Sequence, residues 1–278
     1  MRSSLKQFSH RLYEKAFDED VFSRAASVAF YFSFAFFPLL LFLISLFGLV
    51  LDNATELRGE LFFYLKQIMP KSAFDLVQAT IFEVIVGSTS TTLTIGLVVA
   101  LWSAAAGFDS LRVALNGVYG LRETRPRWKS ALLVLLLTLC IGLFISVALG
   151  CIFYGTNILG WLLPFSSPFL LKLLGWITVL ISLLIVFTLL YGVLPDHKEH
   201  RWKWVAPGSI TGICLWLLLS GAFQVYLAFF DTYSATYGSL GAMIILMLWL
   251  YLTALVILLG GILNVILSNF SKIKTETD

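Results

Sequence analysis

The densest collection of chemistry-bearing side chains in this chain is Asp196-His197-Lys198-Glu199-His200, two carboxylates and two imidazoles within five residues. Such a set could in principle ligate a metal or exchange protons. Its spacing matches no metal motif, though, and His197 and His200 would converge on one ion only in an unusual loop. A solvated loop accounts for it more simply. The sequence also lacks GxSxG, HExxH and a P-loop, each of which places a nucleophile, a metal or a phosphate by a known geometry. Neither a metal, a cofactor nor a catalytic residue is therefore assigned, and the chain reads as a non-enzyme.

Elsewhere the polar groups are sparse and specifically placed. Gln224 and Asn264 are amides in apolar surroundings, where hydrocarbon satisfies neither donor nor acceptor, so each must face another helix or a wet cavity. Tyr226, Tyr233 and Tyr237 gather with the lone acid Asp231 at one membrane face, where aromatic belting is expected. Asp231 could pair with Lys172 or hold a headgroup amine. Arg122, Arg125, Arg127 and Lys129 surround Trp128, a pattern that attracts anionic lipid or simply sets orientation. Cys140, Cys151 and Cys214 show no CxxC spacing and are expected to be small packing residues.

The elements positioning these groups follow from the apolar runs. With 278 residues, 59% hydrophobic and 13% charged, the chain falls well outside the soluble norm of about 25% charged. Six stretches, roughly Ala26–Leu51, Thr91–Phe108, Ala131–Gly155, Leu173–Leu194, Val205–Phe230 and Ser239–Ser268, contain no Asp, Glu, Lys, Arg or His. Each has about the 17–25 residues, or slightly more, that hydrocarbon requires. The first is too long for a signal-peptide core and reads as an uncleaved span. Of the 19 Lys and Arg, 15 lie in alternate gaps and termini, which by the positive-inside rule puts both termini in the cytoplasm. The net charge of +3 arises from that asymmetry and gives no case for a nucleic-acid partner. Membrane lipids are the expected partners.

The expected fold is thus all-α: one polytopic membrane helix bundle over residues 1–278, with six transmembrane helices. Residues 1–25 form a cytoplasmic segment in which Phe8, Leu12, Tyr13 and Phe17 recur at helical spacing. Residues 52–90 form an external amphipathic helical hairpin. Asn53 and Glu56 resemble a capping box for its first arm, and Ser72 with Asp75 can cap its second, in which Glu83 is the deepest acid. Asp109, Arg112 and Asn116 line one face of a juxtamembrane helix following the second span. Pro38 is expected to kink the first span. Residues 269–278 are expected to fray. Gly208 and Gly212, and the pairs Ala100/Ala104 and Ser103/Gly107, permit close helix approach. Three spans per half would allow an inverted repeat.

Several of these segments, in order, resemble the YihY/BrkB membrane family: AASVAFYFSFAFFPLLL from Ala25, ALNGVYG from Ala114, Arg125-Pro126, Leu194-Pro195-Asp196, Ala206-Pro207-Gly208 and Tyr233 to Tyr251. The resemblance covers nearly the whole chain. It implies a bacterial cytoplasmic-membrane protein with about six spans, from a family carrying both a virulence-factor name and a tRNA-processing ribonuclease name. By the matching motifs it marks Asn116, Tyr119, Arg125 and Pro126, together with Tyr226, Tyr233, Tyr237 and Gly238. The resemblance implies a departure as well: many members of the family carry a Glu two residues before the Asn of the last span, where this chain has Ile262. The substrate-facing set expected from residues and resemblance together is Asn116, Tyr119, Arg125, Gln224, Tyr226, Asp231, Tyr233, Tyr237 and Asn264. The expected function is transport or flipping of a lipid or other amphipathic substrate. A scaffolding envelope protein is the alternative, and a membrane-bound ribonuclease a remote one.

Overall fold

A computed structural model describes the backbone of residues 10, 13–50, 59, 62–63, 66, 74–75, 78–79, 90–162, 168–197, 202–229 and 239–277. Six long helices carry the fold: α1 Val21–Val50, α2 Ser90–Val118, α3 Arg127–Leu162, α4 Pro168–Val193, α5 Trp202–Phe229 and α6 Ser239–Thr277. No strand occurs among the described residues, and the protein is an all-α membrane bundle. The described parts of α3 to α6 that are long and apolar enough to cross a membrane are Arg127–Ala148, Leu173–Val193, Val205–Leu227 and Met243–Ser268. Each helix packs on its neighbour in sequence, and α6 closes the ring against α1 while also touching α2.

The helices outrun the apolar stretches, which corrects several boundaries. The juxtamembrane segment is not a separate helix, because α2 continues unbroken to Val118. Likewise α3 takes in residues expected in the connection from Thr156, and α6 extends through the expected frayed tail to Thr277. Helix formation needs only backbone hydrogen bonds and tolerates polar residues beyond the hydrocarbon, so apolarity underestimates helix length. α1 also passes through Pro38 as one helix. Of the expected external hairpin, Gly59, Phe62, Phe63, Lys66, Phe74, Asp75, Gln78 and Ala79 are helical. Phe62 and Phe74 meet edge to face at 6.1 Å, a contact between its two arms. Asn53, Glu56, Ser72 and Glu83 lie outside the described residues, as do Phe8 and Leu12 of the first segment.

The described core sits towards the end of the bundle where α1 begins and α2 ends. Val21, Ala25 and Val28 of α1 pack with Leu111, Leu115 and Val118 of α2, Leu190 and Tyr191 of α4, and Leu258 and Ile262 of α6. Further along α4 and α5, Trp176, Leu180, Leu218 and Val225 are exposed, the disposition of side chains that face lipid. Cys140 and Cys214 are also exposed, correcting the expectation that they pack internally; Cys151 lies outside the residues with described side chains.

Candidate functional site

At the packed end, three chain breaks meet: the termini of α2 and α4 and the start of α5. α2 stops because Gly120 takes φ of 65°, open to glycine without a Cβ clash. Gly120 N–H then donates to the Gly117 carbonyl and Leu121 N–H to that of Asn116, both at 2.8 Å, a Schellman closure. The chain turns back so that residues 121–126 run beside the last turn of α2.

Asn116 is thereby buried between two loops. Its Nδ2 donates to Glu123 Oε2 at 2.9 Å, and its Oδ1 accepts the Asp196 N–H, also at 2.9 Å. Arg112, one helical turn earlier, donates from Nε to Asp109 Oδ1 at 2.9 Å and from Nη1 to Glu123. Ser130 Oγ donates to the other Glu123 oxygen at 3.2 Å.

Asp196 anchors the second half of the network. Its Oδ2 accepts both the backbone N–H and the hydroxyl of Thr124 at 2.6 Å, and its Oδ1 accepts Arg125 Nε at 3.0 Å. Arg125 also donates to the carbonyls of Pro195 at 2.7 Å and Leu194 at 3.4 Å. The Thr124 hydroxyl holds the Asp196 carboxyl below its ordinary pKa; burial opposes this, while the Thr124 N–H and the Arg125 charge reinforce it. These are charge-assisted bonds to an ionised acceptor.

A neutral chain of bonds continues from this network into the bundle. The Tyr119 ring meets His197 edge-on at 4.7 Å, and its hydroxyl accepts from Asn264 Nδ2 at 3.1 Å. Asn264 Oδ1 accepts the Gly208 N–H at 2.8 Å. Burial pushes the Tyr119 hydroxyl well above its ordinary pKa, so it serves as a neutral partner. Pro207 lies inside α5 and has no N–H to give the ladder; at the adjoining residue the α6 amide supplies the acceptor. A Cβ on Gly208 would overlap that amide. Tyr191, fully buried, donates its hydroxyl to the Ile257 carbonyl at 2.8 Å.

The structure therefore brings together Asn116, Tyr119, Arg125 and Asn264 of the expected set. Gln224 and Tyr226 stand apart, exposed on the far part of α5. Asp231, Tyr233 and Tyr237 lie outside the described residues. Arg125 is turned inward to Asp196, whereas Arg122, Arg127 and Lys129 are exposed. Asp196 is buried and paired rather than part of a solvated loop, which corrects that reading; residues 198–200 are outside the description. Among the described residues no three His, Cys, Asp or Glu are grouped to hold a metal. Glu123, Thr124, Asp196 and Tyr191 complete the junction but were not among the expected site residues. The polar face of α2 announced Arg112 and Asn116, but nothing local to Glu123 or Asp196 names its distant partners.

The model of the virulence factor BrkB family matches residues 12–278. The chain belongs to this family. Among BrkB-family relatives, the ribonuclease-like protein YfkH of Bacillus subtilis is 31% identical over 91% of this chain and 92% of its own length. A UPF0761 membrane protein of Mannheimia succiniciproducens is 26% identical over 93% and 89%, and one of Idiomarina loihiensis 28% over 59% and 57%. No solved structure matches. Ile262, two residues before Asn264 in α6, is fully buried.

Proposed function

We propose that this BrkB-family protein is a transport-type protein of the bacterial cytoplasmic membrane that moves or exposes an amphipathic substrate, a lipid or lipid-linked molecule. The observation carrying this reading is Pro207 inside α5, followed by Gly208, whose N–H is bonded to the side chain of Asn264 on α6. A spanning helix whose backbone is satisfied by a neighbour's side chain can bend there at the cost of one replaceable bond. Membrane helices tolerate proline where a neighbour re-satisfies the backbone in this way, and transporter substrate sites are built where such helices open. The absence of ionisable residues from the six apolar stretches favours an apolar or amphipathic cargo over a bare ion, which would need polar partners at mid-membrane. The charge bias supports a cytoplasmic position for the packed, basic end.

Reconstitution into liposomes tests the reading. Labelled phospholipid or polyprenyl lipid should cross faster than in protein-free vesicles, and faster still or slower when Gly208 is changed to Ala. Equal rates with and without protein would sink it.

The ribonuclease-like name of YfkH suggests hydrolysis as a second reading. It finds less support here, because Glu123 and Asp196 are already taken up by Arg112, Arg125 and Thr124. RNA cleavage by the purified protein, lost on changing His197 and His200 to Ala, would overturn the non-enzymatic reading.

A further inference from the structure

The cations at the packed end divide into two sets. Arg24, Arg112 and Arg125 are committed internally: Arg24 lies against Gly117 and donates to the Glu19 carbonyl at 2.6 Å, and the other two hold Glu123 and Asp196. Arg122, Arg127 and Lys129 point outward and, among the described residues, form no ion pair. Between the last two stands Trp128, 65% exposed, with the Lys129 ammonium 5.3 Å from its ring centre.

We propose that Arg122, Arg127, Lys129 and Trp128 form a rim that holds the headgroups of anionic phospholipid. Position is the first argument. The apolar span of α3 begins at Arg127, so the hydrocarbon boundary lies within a turn of these cations, at the height of lipid phosphates. Charge is the second. Three cations with no ion pair among the described residues attract anionic lipid near a membrane surface, and helix stability does not account for two of them, since a helix dipole disfavours cations in the first turn. The third is the aromatic belt. Tyr13 and Phe17 are exposed at the same end and in ring contact at 4.5 Å, and with Trp128 they supply the amphipathic rings that settle at headgroup level. An RNA strand would offer phosphates too, but it would have to lie in the hydrocarbon boundary to reach Trp128 and Arg127 together. This rim is independent of the transport reading, because a protein with any membrane role would present it.

The test compares phosphatidylcholine vesicles with and without phosphatidylglycerol, reading the lipid retained by the full-length protein after extraction. Wild-type protein should enrich phosphatidylglycerol. Each cation changed to Gln should weaken that enrichment about fivefold, and the triple change on the order of a hundredfold. The charge-conserving pair Arg122→Lys and Arg127→Lys should keep it. Should the triple variant fail to fold, the single variants still report the fivefold steps. Absence of enrichment in wild type, enrichment untouched by Gln, or loss with Lys equal to that with Gln would each overturn the proposal. So would displacement of phosphatidylglycerol from the rim by an RNA oligonucleotide.

Discussion

Arg112 and Arg125 carry the same charge as Arg122 and Arg127 and share the same short stretch of chain, yet they end in opposite environments. Of the inward pair Arg112 is buried and Arg125 partly buried, and both are bonded to Glu123, Asp196 or backbone carbonyls; the outward pair is exposed. A buried guanidinium must satisfy its donors within the protein, so it fixes which loops touch. An exposed one leaves the fold alone and is free to select what lies outside. Two arginines a few residues apart can therefore serve architecture and partner choice separately.

The strongest way to break this comparison is to truncate one member of each set. Arg125→Ala leaves Asp196 buried without its cation and should destabilise the protein by about 3 kcal/mol, whereas Arg122→Ala should stay within about 0.5 kcal/mol. Thermal unfolding in one detergent checks both, and equal losses would erase the distinction. Next in size is Gly208→Ala, which drives a methyl into the Asn264 amide and should cost roughly 1–3 kcal/mol. In an Asn264→Ala background that cost should shrink, so a double-mutant cycle over the pair reads the junction itself.

A smaller, pH-dependent effect distinguishes the inward set by its acid. The Asp196 carboxyl is held below its ordinary pKa, so its contribution is complete above the unfolded value of about 4 and disappears as pH falls through the folded value. Wild-type melting temperature should accordingly hold steady from neutrality to about pH 5 and drop below about pH 4. Asp196→Asn should melt lower at neutrality and lose less on acidification, as calorimetry across that range would show. Least of all, Arg127→Gln should change stability in detergent by under about 0.5 kcal/mol, its effect emerging only when anionic lipid is present.

Much of the fold was legible because burial in hydrocarbon is a demand on residue type. Six apolar runs became six helices. Lengths were less legible: polar residues such as Asp109 and Arg112 looked like a boundary, but helix hydrogen bonding carries on past the apolar limit. Half of the junction was visible in single residues, Asn116, Tyr119, Arg125 and Asn264, since an amide or cation in apolar context needs a partner. Their partners were not, because Glu123 and Asp196 sit in polar loops where acids are ordinary.

By itself, then, the sequence determined that the chain is a helical membrane bundle, where the six long helices of the described residues fall, and that one set of gaps collects positive charge. Those properties follow from the transfer cost of side chains between water and lipid, which depends on composition and spacing alone. Only the tertiary structure decided that Asp196 closes on Thr124 and Arg125 more than seventy residues away, that Asn264 accepts the Gly208 N–H of α5, and which cations face out. Such pairings depend on where loops meet after the helices pack, and no local pattern encodes that meeting.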